Sequence, residues 1–157
     1  MTQAHPPFAR AAWAARGWTM TEDPAPTVTV DGRDAVTFRL GNRLLLDITA
    51  SVQAIRLRSR VAAPADLDPD SHDTRRVGIA VVAVHLDGPR AELGDPRLSG
   101  GWHPVEPGLR WTDGDAEIRV DGIARIEIDV APGLPRHATG PAEALAVARQ
   151  RTRPTSR

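Results

Sequence analysis

Cysteine and lysine are both missing from this chain of 157 residues, and each absence closes off chemistry. Without cysteine there is no thiol nucleophile, no disulfide staple and no thiolate metal site. The redox compartment is also unreadable. Without lysine, a phosphate-binding loop of the Walker type is excluded. The twenty basic residues are all arginine and are balanced by twenty carboxylates, so the formal net charge is zero. Duplex binding needs a field of uncompensated positive charge, so nucleic acid is not an expected partner. No apolar run reaches the roughly 18 residues of a membrane helix, and no membrane span is expected. The chain does not start with a basic stretch followed by an apolar one, so no Sec-type signal is expected and the cytoplasm is the default.

What remains is enough for one sizeable core and hardly two. Residues 8–16 fit a single short helix between Pro7 and Gly17, and Pro24 and Pro26 close a linker. Residues 1–26 are therefore expected as a short helix and linker, 27–131 as the folded domain, and 132–157 as an Ala-, Arg- and Pro-rich tail with a second short helix at 142–151.

Inside the domain the hydrophobic period is two. Residues 27–30, the pair Asp31-Gly32 and residues 35–40 read as strand, turn and strand, and a further strand follows at 43–48. In residues 52–61, Ile55, Leu57, Ser59 and Val61 face one way and Arg56, Arg58 and Arg60 the other, a half-buried strand with an arginine stripe. Such a stripe is usually the wet side of a sheet, although it could meet an anionic glycan or a protein. Residues 62–76 are too rich in Pro and Asp for regular structure. Residues 77–86 are apolar on both faces, as in a central strand. Residues 116–120 and 124–130 flank Asp121-Gly122 as a second hairpin. The expected fold is an all-β antiparallel sandwich of jelly-roll type, with short helices only at the two ends. Its core should contain Ile55, Leu57, Val61, Ile79, Val81, Ile126 and Ile128.

One stretch is unusually dense. Residues 100–120 (GGWHPVEPGLRWTDGDAEIRV) hold two of the four tryptophans, a histidine and four carboxylates. The block reads as a long connection between sheets carrying its own plug. Trp102 and Trp111 each offer roughly 200 Å² to bury, Gly100-Gly101 permits a close backbone approach, and Glu106 and Arg110 could pair across the loop. As a ligand site, the same stretch offers Trp102, His103, Glu106, Arg110, Trp111, Asp113 and Asp115. A sugar site needs an aromatic platform and planar acceptors, and these residues could supply both. A hydrolytic metal site built from His103, Glu106, Asp113 and Asp115 would want a second histidine at ligand spacing, which the sequence does not offer. Asp66, Asp68, Asp70 and Asp73 alternate like calcium ligands, so a structural calcium is the one cofactor considered. However, no glycine stands at the sixth place, no acidic residue closes the loop, and Arg75 and Arg76 can neutralise it. No G-x-S-x-G elbow is present for a serine nucleophile.

Residues 59–81 (SRVAAPADLDPDSHDTRRVGIAV) and 95–116 (DPRLSGGWHPVEPGLRWTDGDA) resemble the C-terminal region of bacterial Hint-domain proteins, the Hedgehog/intein type. The likeness spans residues 31–130 and is tightest over 59–116. Its Gly-Trp-His and Arg-Trp-Thr phrases are also similar to sandwich pieces attached to glycosyltransferases. Hint modules process themselves through a Cys or Ser nucleophile and His-Asn motifs. This chain has no Cys, its only Asn is Asn42 without a preceding His, and the stretch ahead of the match is too short for the module. The resemblance therefore implies an accessory sandwich and not autoproteolysis. Three readings stay open: a recognition module, with surface glycan as its candidate ligand; a structural domain packing on a partner protein; and a hydrolase. They separate on whether a tryptophan face is open beside Glu106 or Asp115.

Overall fold

The computed structural model describes residues 19–21, 23–49, 51–67, 70–132 and 137–139. The helices expected at 8–16 and 142–151 lie outside these residues. After β1 (Thr19–Thr21), the chain forms β2 (Thr27–Val30) and β3 (Arg33–Asp34), a hairpin closed by Asp31 and Gly32 with φ of 50° and 75°. Positive φ at both central residues is the type I′ geometry that matches strand twist, so Asp-Gly forms the expected turn. The chain then leaves that sheet. β4 (Phe38–Leu40) and β5 (Arg43–Asp47) form a second hairpin in the other sheet, so the strand expected over 35–40 is split between the two.

β6 (Ala54–Arg58) follows, and then a one-turn helix, α1 (Pro64–Leu67). This helix corrects the expectation of helices only at the ends. Pro64 opens it at a position where a missing N–H costs nothing. Next come β7 (Ala80–Leu86), β8 (Arg90–Ala91), β9 (Trp102–Glu106), β10 (Leu109–Thr112), β11 (Asp115–Arg119) and β12 (Arg125–Val130). β13 (His137–Thr139) pairs antiparallel with β1, joining two segments expected as linker and tail.

The result is a sandwich of two packed antiparallel sheets. One has four strands in the order β11-β6-β2-β3, and the other has seven in the order β4-β5-β12-β7-β10-β9, with β8 alongside β7. A jelly roll instead shares eight strands between two Greek keys. Among the described residues, no helix is long and apolar enough to cross a membrane.

The second expected hairpin is not one. β11 pairs with β6 in the small sheet, whereas β12 lies between β5 and β7 in the large one. At Asp121-Gly122 only the glycine has positive φ, so the type I′ geometry of a tight hairpin is absent. The turn is a corner, and it lets Ile118 and Ile126 enter the core from opposite sheets.

The core joins Val28, Ile55, Leu57 and Ile118 of the small sheet to Leu44, Leu46, Val81, Val84, Leu86, Ile126 and Ile128 of the large one. Six of the seven expected core residues are fully buried, and Val61 is half-buried. β7 explains its own unbroken apolar run. Its ladder to β12 goes from Ala83↔Asp129 to Val81↔Val130, which leaves Val82 as the extra residue of a bulge. The core face therefore changes parity, from Ile79 and Val81 to Val84 and Leu86. Arg90 Nη2 donates to the Val82 carbonyl at 2.9 Å.

Candidate functional site

The tryptophan block is mostly strand. β9, β10 and β11 take up the segment expected to be a long connection. Trp102 opens β9 and packs against the core while remaining half-buried. Its indole Nε1 donates to the Glu117 carbonyl at 2.9 Å, tying the large sheet to β11 of the small one. The Arg110 guanidinium lies 5.6 Å from the centre of the Trp102 ring, within cation–π range. Arg110 also donates to the carbonyls of His103 at 2.7 Å and Leu93 at 2.8 Å. Burial pulls its pKa down, yet a guanidinium starts so high that it stays charged. The expected Glu106–Arg110 pair does not form, because Arg110 is committed to backbone oxygens and the Trp102 face.

Trp111 plays a different part. It is the ladder partner of Ala80, whereas Arg110 is the partner of core-facing Val81. Strand alternation therefore places Trp111 on the outer face of the large sheet. It is half-buried and does not belong to the core cluster, so the expected plug is Trp102 alone.

Glycines and a threonine set the spacing of this joint. A Cβ at Gly101, whose φ is +83°, would run into the Asp115 carbonyl oxygen. A Cβ at Gly78 would sit 2.5 Å from Ser59 Oγ and 2.6 Å from Thr112 Oγ1. Thr112 is buried, and its hydroxyl oxygen accepts from the backbone N–H of Ile79 at 3.1 Å. Close approach at Gly100-Gly101 is thus realised, at the second glycine.

The polar candidates fall into two groups. His103 Nε2 donates to the Arg76 carbonyl at 2.8 Å, and Glu106 receives Arg75 at 3.2 Å. Arg75 also grips Asp73 at 2.7 Å, and this bond holds the Asp73 carboxyl below its ordinary range. The loop before β7 is thereby fastened across β9. On the other sheet, Asp115 takes Arg56 at 2.9 Å and Arg58 at 3.4 Å, and Arg56 reaches Glu117 at 3.3 Å. The Arg56 bond is the main reason the Asp115 carboxyl is held low. Asp113 accepts from the Asp115 backbone N–H at 2.9 Å. The arginine stripe is thus the positive half of a cross-strand ladder, and Arg60 reaches the backbone oxygen of Asp23 at 2.7 Å.

Among the described residues, no three His, Cys, Asp or Glu side chains converge as metal ligands. The Asp68 residue and the Asp66 side chain lie outside the described part. Asp70 is exposed, and Asp73 is the residue bound by Arg75.

The alternation over 36–40 hid a different surface. Val36, Phe38 and Leu40, in the segment expected as a strand over 35–40, are 94%, 66% and 64% exposed. Phe38 and Leu40 are ladder partners of Leu45 and Arg43, so all four share the outer face of the large sheet. A hollow of about 580 Å³ opens there, lined by Val36, Phe38, Leu45, Leu46, Asp47 and Arg125. Asp47 and Arg125 pair at 2.8 Å on its rim. A second hollow of about 470 Å³ lies between β8 and the β9–β10 turn, with Val105 and Glu106 in its wall. Neither tryptophan lines these two hollows. No family model matches this chain, and neither do any curated proteins or solved structures.

Proposed function

We propose that the chain is a non-catalytic interaction module that docks on a protein surface through the apolar edge around Phe38, not through the tryptophan block. One observation carries this reading. Each polar candidate of the block is engaged within the chain, whereas the largest exposed apolar side chains gather at β4. A sugar platform needs an open aromatic face with free planar acceptors beside it. Trp102 instead has Arg110 on its ring, and Glu106 and Asp115 each hold an arginine. The hydrolase reading loses support for the same reason, since His103 and Asp115 are committed to different partners on different elements. Apolar groups exposed together, rimmed by charge, are the ordinary mark of a protein contact. The Hint-type resemblance points the same way, toward an accessory domain.

The test uses a dye that fluoresces on apolar surfaces, together with a glycan array. Dye binding should fall several-fold in Phe38→Ser and stay near wild type in His103→Ala. Glycan binding that disappears in His103→Ala or Glu106→Gln, with stability unchanged, would return the function to the block.

A further inference from the structure

We infer that the occupant of this edge is a second copy of the chain, its β4 laid antiparallel against the first β4 across a two-fold axis. This rests on the docking reading above and names its partner. The argument begins with the sheet edges, each of which is a template for strand addition unless it is blocked. β9 is bent by a bulge in its pairing with β10, a device that turns a sheet edge away from further strands. β11 is already covered by the segment before β9. Ser99 N–H donates to the Glu117 carbonyl at 3.2 Å, Glu117 N–H to Gly100 at 2.7 Å, and Arg119 N–H to Arg97 at 2.8 Å. β3 and β8 are two residues each, and β3 is wholly charged. β9 exposes Val105 alone, at 50%, whereas β4 presents both Phe38 and Leu40, at 66% and 64%, on an edge with no outer strand among the described residues.

The β4 backbone also sets the register. A two-residue turn at Gly41-Asn42, with φ of +60° at the glycine alone, closes the β4–β5 hairpin as type II′. Leu40 and Arg43 flank that turn and bond to one another, so the N–H and C=O of Arg39 point away from β5. Two copies pairing Arg39 with Arg39 set Phe38 of each against Leu40 of the other. Apolar pairs directly opposite across strands are favourable. The two Arg39 side chains do not meet bare, since each contacts Asp23 at 3.4 Å. The rim suits a copy of itself: Asp47 and Arg125 are 76% and 60% exposed and of opposite sign. An interface that reads the same from both sides is the requirement of two-fold symmetry. Its centre is small against the roughly 800 Å² per partner of a standard interface, so the dimer is a weak one.

Sedimentation over a wide concentration range tests this. The average mass of the wild type should climb toward twice the monomer, and Phe38→Glu should remain monomeric at every concentration. Because Phe38 is exposed, that variant should keep the wild-type circular dichroism spectrum. Val105→Glu, at a 50% exposed position on the opposite edge, should associate like wild type. Arg39→Pro, which removes the outward N–H, should also abolish association. A wild type that stays monomeric, or a dimer indifferent to Phe38→Glu or to Arg39→Pro, would overturn the inference. If the wild type is monomeric yet its dye binding still depends on Phe38, self-pairing fails while the docking surface stands. If dye binding is also independent of Phe38, both fail.

Discussion

Trp102 and Trp111 occupy neighbouring strands but opposite faces of one sheet, and this difference decides what each side chain is worth. Trp102 packs on the core, bonds to the Glu117 carbonyl and carries the Arg110 guanidinium. Truncating a core aromatic costs about 3–5 kcal/mol, and half-burial puts Trp102→Ala near the bottom of that range. Trp111→Ala should cost less, because Trp111 lies outside the core cluster; guanidinium unfolding of the two variants measures the difference. Gly101 is a second residue with no substitute. Alanine there combines a φ of +83° with a collision against the Asp115 carbonyl, so Gly101→Ala should lose about 3 kcal/mol. Gly108 has similar positive φ, +76°, but open space around it. Gly108→Ala should therefore lose only the left-handed penalty of about 1 kcal/mol, measured the same way.

At the scale of elements, ion pairs between neighbouring strands and turns hold the polar faces. Arg43 clamps Asp129 at 2.6 Å and Glu127 at 3.1 Å, Arg56 and Arg58 hold Asp115, and Arg75 holds Asp73. In each of these aspartates, the bond to arginine is the main cause of a folded pKa below the ordinary 3.8. A lowered carboxylate pKa stabilises the fold above the unfolded value, and that stability is lost as pH falls through the folded one. The urea midpoint should therefore hold steady from neutral pH down to about 5 and fall below about 4. The drop should be shallower in high salt, since these pairs are only part-buried and remain open to solvent.

The same scale shows what could be read in advance. Ile55 and Leu57, and Ile126 and Ile128, announced their strands by clean alternation, and Asp31-Gly32 announced its hairpin. The bulge at Val82 could not be read, because an extra residue inside the apolar run 77–84 leaves no mark on its pattern. The corner at Asp121-Gly122 looks like a hairpin in sequence because only φ at Asp121 separates the two. Alternation in Val36, Phe38 and Leu40 reports a face and does not say which one. Of the candidate site, the density of the block was legible, but its internal partners were not. Arg56, Arg75, Arg76 and Leu93, which engage Asp115, Glu106, His103 and Arg110, lie outside residues 100–120.

For the whole molecule, these placements separate a structural half from an exposed one. The β9–β11 joint ties two sheets together at Trp102 and the close Gly101, while the β4 side leaves apolar surface open. The claim that the first region serves stability and the second serves contact is tested most directly by guanidinium unfolding of wild type, Trp102→Ala and Phe38→Ser at low protein concentration. Phe38→Ser should fall within about 0.5 kcal/mol of wild type, as exposed substitutions do, while Trp102→Ala should lose about 3 kcal/mol. A Trp102→Ala protein as stable as wild type, or a Phe38→Ser protein as damaged as Trp102→Ala is expected to be, would contradict it.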